Sequence, residues 1–209
     1  MLQTAPRTIR AAMLRQSRRR LSSCAYSLAT DRWIDEAIIG LNLCPYTKAV
    51  RKRAAVRTRI CNSAIDEATL LKEIDDEATL LAAGETETSL LVVPPSTPWG
   101  IGLHDDFAKF LSLGWVVEDR LAELAPSTLQ LQLALFHPLA VRNIYTAAEE
   151  EAVDYAMRAP HPTIHLLRTS DVAAVPPASA AAVPERNRAK LAEVGLEKLR
   201  DLYSGMTVN

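Results

Sequence analysis

Leu129, Leu131, Leu133 and Leu135 fall on every second residue, with Gln130 and Gln132 between them. A period of two buries one side of a β-strand and leaves the other side polar. Three more short runs read as strands. Val56–Cys61 alternates Val56, Thr58 and Ile60 with Arg57, Arg59 and Cys61. Thr88–Val93 is apolar on both sides, which predicts a central strand. Thr163–Arg168 is the fourth. Helical spacing fills the intervals. Trp33, Ile34, Ala37, Ile38 and Leu41 form a stripe that predicts a helix from Asp31 to Leu43, stopped ahead of Pro45. Asp66–Ala83 reads as a helix closed by Gly84. Further helical patterns cover His104–Leu124, Glu149–Arg158 and Arg186–Tyr203. Strands alternating with helices predict crossover connections, hence an α/β domain with a roughly four-stranded, mostly parallel sheet. Two strands carry a polar face, so the expected form is two-layer, with helices covering mainly one face.

Charge is unevenly spread. Residues 1–30 hold six of the 24 basic side chains (Arg7, Arg10, Arg15, Arg18, Arg19, Arg20) and no acid. The rest is then acidic, eighteen basic residues against 25 acidic ones. An acidic body lacks the basic face of a nucleic-acid binder. The arginine-rich, acid-free start has the composition of an organelle presequence, and Arg18–Ser23 has the look of a processing site. The expected address is the mitochondrial matrix, with a plastid the lesser alternative. No stretch is long and apolar enough for a membrane span. Expected divisions are a presequence at 1–30, the α/β domain at 31–171, an Ala/Pro linker at 172–184, and an amphipathic helical segment at 185–209. Cys24 falls in the presequence, and Cys44 with Cys61 makes neither a disulfide framework nor a zinc motif.

Candidate chemistry gathers near strand ends. In a parallel sheet the loops after the strands share one rim, where ligands of open α/β sheets bind. Those loops would bring Asn62 and Ser63, His104 and Asp105, His137 and Arg142, and Arg168, Ser170 and Asp171 together. His137 continues the odd-numbered parity of its leucines, so its ring starts on the buried face. His165 sits mid-strand beside Thr163 and Leu167. His137 and His165 are the candidate acid–base pair. Arg158 and Arg168, with His104 and Asp105, are the candidate ligand contacts, since a guanidinium clamps carboxylate or phosphate in two-pronged fashion. Each also has a plain structural reading, as a hydrogen-bonded core histidine or an internally paired arginine.

Cys44 is a candidate nucleophile, opposed by its place at a helix C-terminus, where the dipole disfavours a thiolate. The basic run Lys48, Arg51, Lys52, Arg53, Arg57 and Arg59 reads as a solvated face. No compact spacing of ligands supports a metal, and no phosphate loop implies a nucleotide cofactor.

Several strings together resemble a known family: Leu41-Asn42-Leu43-Cys44-Pro45-Tyr46, Glu87-Thr88-Ser89-Leu90-Leu91-Val92 with Pro94, Phe136-His137-Pro138, and Arg158 through Arg168. They resemble domain-of-unknown-function family 1415, over about residues 31–203. The resemblance implies no particular activity. The family pattern before the last strand resembles Thr-Asn-Arg-Ser-Pro-Tyr-Pro, and here it stands as Ala156-Met157-Arg158-Ala159-Pro160-His161-Pro162, with three polar side chains replaced.

The function expected from these residues is binding of a small anionic metabolite at the strand rim, with histidine acid–base catalysis as an extension. The alternatives are a non-catalytic assembly protein with structural histidines, whose tethered C-terminal helix docks on a partner, and a Cys44-dependent enzyme. Oligomeric state is left open by the sequence.

Overall fold

The computed structural model describes residues 23–61, 65–124, 130–142, 149–174 and 181–207. Asn62, Ser63 and Leu129, most of the arginine-rich start and part of the Ala/Pro linker lie outside them.

The four strands form where the alternation places them: β1 (Val56–Ile60), β2 (Thr88–Val92), β3 (Leu131–Phe136) and β4 (Thr163–Arg168). Their order is β1-β2-β4-β3. β1 and β2 are parallel, whereas β4 runs antiparallel to both β2 and β3. The sheet is therefore mixed, and the mostly parallel expectation is corrected. Among the described residues, the β3–β4 connection holds no full helix of the kind a parallel crossover requires. Glu149–Arg158 forms only a 3₁₀ turn at Ala152–Ala156.

Helical residues 23–32 run into a wider π turn at Trp33–Ile39, and together they make α1. The turn after it ends with Asn42 at φ 56°, a left-handed residue of the kind that closes helices. The folded body thus reaches back to Ser23, and Ala29 and Thr30 are buried, ahead of the boundary expected at residue 30. Next come α2 (Thr47–Lys52) and α3 (Glu67–Ala82). Asp66 caps α3 by accepting from the Thr69 backbone N–H at 2.8 Å, and Gly84 at φ 74° follows its end.

The helix expected at His104–Leu124 forms from Phe107, and the proline- and glycine-rich run Pro94–Leu103 ahead of it, expected as a loop, holds a helix of its own. α4 (Pro98–His104) starts on Pro98 with Thr97 as cap, and α5 (Phe107–Leu124) restarts behind Asp106, which accepts from Lys109 N–H at 2.9 Å. The pattern expected as one C-terminal helix divides. After α6 (Thr169–Ala173), α7 (Val183–Val194) and α8 (Leu196–Ser204) meet at Gly195, whose φ of 84° no ordinary residue adopts freely.

Pleating sends alternate residues to opposite faces. Leu91, Val93, Ile164 and Leu166 pack with Leu70, Ile74 and Leu81 of α3 and Phe110, Leu113 and Val117 of α5. Leu90 packs instead with Trp33 and Ile34 of α1, Leu191 of α7, and Leu199 and Tyr203 of α8. Apolar helices thus lie against both faces, not mainly one. The C-terminal helices pack on the chain's own body, where the Tyr203 hydroxyl donates to the Tyr155 carbonyl at 3.0 Å. No described helix is long and apolar enough to cross a membrane.

Candidate functional site

One edge of the sheet collects the ends of β1, β2 and β3 and, because β4 runs the other way, the start of β4. His137 follows β3 there and the Pro160-His161-Pro162 turn precedes β4, fixed by the Val93 N–H donating to the Pro162 carbonyl at 2.9 Å. α4 brings His104 and Asp105 to this rim, and Arg158 enters from the 3₁₀ turn, since His137 N–H donates to Met157 O. Four of the sequence candidates thus share a neighbourhood.

Three others do not. Arg168 ends β4 opposite Leu131, the first residue of β3, so it lies at the far rim. There it bonds Asp171 at 2.7 Å. His165 pairs across from Leu90 and Ala134 and rings against Phe136, on the face opposite His137. Its Nε2 meets the Thr88 hydroxyl, which itself donates to the Leu166 carbonyl, so the imidazole Nε2–H is the donor in that contact. Cys44 is half-buried against the cluster that holds Trp33 and Ile34 of α1 and Leu191 of α7. No described hydrogen bond or ring contact joins it to a histidine.

His137 is fully buried between Phe107 and Phe110. Its Nε2–H donates to Leu103 O at 2.8 Å and its Nδ1 accepts from Leu139 N–H at 3.0 Å. Both nitrogens are used to tie α4 to the turn after β3. Burial lowers its pKa to about 4, so it is neutral at pH 7. Arg158 is equally committed. It bonds Ala140 O at 3.1 Å, pairs with Glu150, and lies over the Tyr155 ring at 4.5 Å. Arg200 bonds the other oxygen of Glu150 at 2.6 Å, leaving that carboxylate saturated.

His161 is the exception. It is 2% exposed, yet among the described residues neither ring nitrogen has a hydrogen-bond partner. Tyr26 of α1 meets it edge-on at 4.8 Å between ring centres, and His104 lies 5.9 Å away at a tilt. Desolvation, with a smaller contribution from His104, lowers its pKa to about 4. His104 remains partly exposed, with Nδ1 3.4 Å from the Asp105 carboxylate. A buried polar ring without partners is rare, because each unmet group costs about 1–3 kcal/mol. The sequence reading passed over His161. The signal available was the proline on either side, which fixes the backbone and aims the ring.

The expected solvated basic face is mostly self-neutralised. Arg51 bonds Asp31 and Asp35, Arg53 bonds Glu87, Arg57 bonds the fully buried Glu77 at 2.8 Å, and Arg59 bonds Glu73 at 3.0 Å. Ser89 adds a third bond to Glu77 at 3.0 Å. Cys61 lies in the same buried corner, and burial holds its thiol well above its ordinary pKa. An open groove of about 480 Å³ runs between α3 and α5, bridged by Arg120 on Asp75, with none of these histidines on its walls. The described residues contain no cluster of three or more side chains fit for a metal.

A family model described as a protein of unknown function, DUF1415, matches residues 25–201. The chain belongs to that family. The match begins one residue before Tyr26, so the segment that packs on His161 is within the family's extent. A search of the curated proteins finds no match, and neither does a search of the solved structures.

Proposed function

We propose that this DUF1415 member binds a small anionic metabolite carrying a hydroxyl group at the rim around His161. The observation that carries the reading is the buried, unpartnered imidazole of His161 between Pro160 and Pro162. A neutral imidazole offers one N–H donor and one bare nitrogen acceptor. A hydroxy acid supplies the complement, a carboxylate to accept and a hydroxyl to donate. His104, within reach of His161 and held by Asp105, is the second contact. His137 and Arg158 shape the rim and are already saturated, while His165, Arg168 and Cys44 take no part.

Acid–base chemistry follows as an extension. At a pKa near 4 His161 is a weak base at neutral pH, but an adjacent carboxylate stabilises the imidazolium and raises that value toward the useful range. The arginine-rich residues 1–22 support a mitochondrial-matrix setting, where such acids are abundant substrates.

The test is a thermal-shift and imidazole NMR titration with short hydroxycarboxylates and inorganic phosphate. The expected result is stabilisation of the wild type, movement of the His161 ring signals with an increased pKa, and loss of both in His161→Phe. If the wild type shows no shift with any member of the panel, or His161→Phe responds equally, the reading fails.

A further inference from the structure

The two open edges of the sheet are built differently. β1 carries Arg57 and Arg59, the charged residues that natural edge strands use against unwanted pairing. β3 reads Leu-Gln-Leu-Ala-Leu-Phe, with no charge and no proline. Its inner side is fixed by the Thr169 N–H donating to Gln130 O at 2.8 Å, which sets the even-numbered residues as hydrogen-bonded to β4. The N–H and C=O groups of Leu131, Leu133 and Leu135 therefore point outward. Among the described residues no backbone bond is made to them. At the upper end the edge is closed, since His137 N–H is taken by Met157. The leucine side chains are only partly buried, and on α5 above them Trp115 is 64% exposed. Gly114, beside it, lies so close to Leu135 that an added Cβ would come within 2.4 Å of the leucine. That contact sets this turn of α5 over the C-terminal half of β3.

We infer that β3 pairs antiparallel with β3 of a second copy of this chain across a two-fold axis at Leu133, joining the two sheets into one of eight strands. The self-complementarity of the edge selects a second copy as the occupant. With Leu133 opposite its own counterpart, Leu131 faces Leu135 at both ends, and every outward N–H meets a carbonyl. On one face leucine stacks on leucine. On the other Gln132 meets Ala134, which leaves room for it. No like charges face each other, whereas the same operation on β1 would bring arginines together. The two Trp115 side chains then lie on either side of the axis above the joined leucines.

The experiment is sedimentation equilibrium of the full chain at micromolar concentration, alongside Leu133→Pro and Leu131→Lys. Proline removes the central outward donor and is tolerated on an edge whose N–H faces out. Lysine at 131 puts a charge against Leu135 of the second copy. The wild type is expected at twice 22.9 kDa and both variants at the single mass with unchanged circular dichroism. A wild type at 22.9 kDa overturns the inference. So does a double mass that both folded variants retain. If a variant fails to fold, amide exchange of the wild type decides. Slowing of Leu131, Leu133 and Leu135 with rising concentration supports the pairing, and fast exchange at every concentration refutes it.

Discussion

His137 and His161 stand at the same rim, each beside proline, each buried, each neutral with a pKa lowered to about 4. They differ in what their nitrogens touch. His137 spends both on backbone groups of Leu103 and Leu139. His161 meets only the edge of Tyr26 and the tilted ring of His104. Identical side chains under similar desolvation thus end in opposite states: one is a bracket between two loops, the other a ring whose nitrogens meet no hydrogen-bond partner among the described residues. Residue type and burial alone do not distinguish a hydrogen-bonded histidine from an unpartnered one; the contacts of the ring nitrogens do.

Acid should expose the shared half of this comparison most strongly. His137, His161 and His165 all have folded-state pKa values near 4 against an ordinary 6.5. As pH falls, the unfolded chain takes up protons first. Stability is whole above pH 6.5 and is lost progressively down to pH 4, by about 3 kcal/mol for each histidine. Urea unfolding at stepped pH should show this slope, and His161→Phe should remove one histidine's share of it. A flat profile between these values would show that the rings are not held neutral.

His137→Ala breaks the bracket. It leaves Leu103 O and Leu139 N–H unmet and opens a cavity between Phe107 and Phe110, for a cost of about 3 kcal/mol in chemical denaturation. A loss below 1 kcal/mol would place His137 with His161 instead of against it. Arg158→Ala should cost about 2 kcal/mol, because Glu150 and Ala140 O lose a part-buried partner, with Arg200 retaining hold of Glu150. The smallest effect is expected for His161→Phe, which should leave stability within about 1 kcal/mol of wild type, or raise it, since no hydrogen bond among the described residues is lost. A destabilisation as large as that of His137→Ala would erase the distinction.

The periodic elements were readable because burial imposes period on sequence: β1, β2 and β4 and helix α3, with its Asp66 cap and Gly84 stop, lie within a residue or so of their expected bounds. Pro98 misled, because a proline after Pro94 and Pro95 reads as loop, although the preceding Thr97 made it a helix start. Pairing was not readable. His137 and His165 share odd numbering, and each was correctly placed on a face of its own strand. The observed register sets Leu131 against Arg168, so residues of like parity on β3 and β4 fall on opposite faces. One integer of register, invisible in the sequence, separated the two rings expected to work together. The direction of β4 likewise carried Arg168 away from the rim and brought His161 to it.

The position of β4 between β2 and β3 also governs when the molecule can come into being. β2 and β3 share no hydrogen bonds with each other, so the sheet's centre is missing until residue 168 has been made available. One of its faces then waits for the two chain ends, α1 from the front and α7 with α8 from the rear. Such long-range closure makes assembly slow and late. Until the final helix arrives, Leu90 and Trp33 stay uncovered, so a chain cut short by even that helix should be recognised by chaperones as unfinished goods.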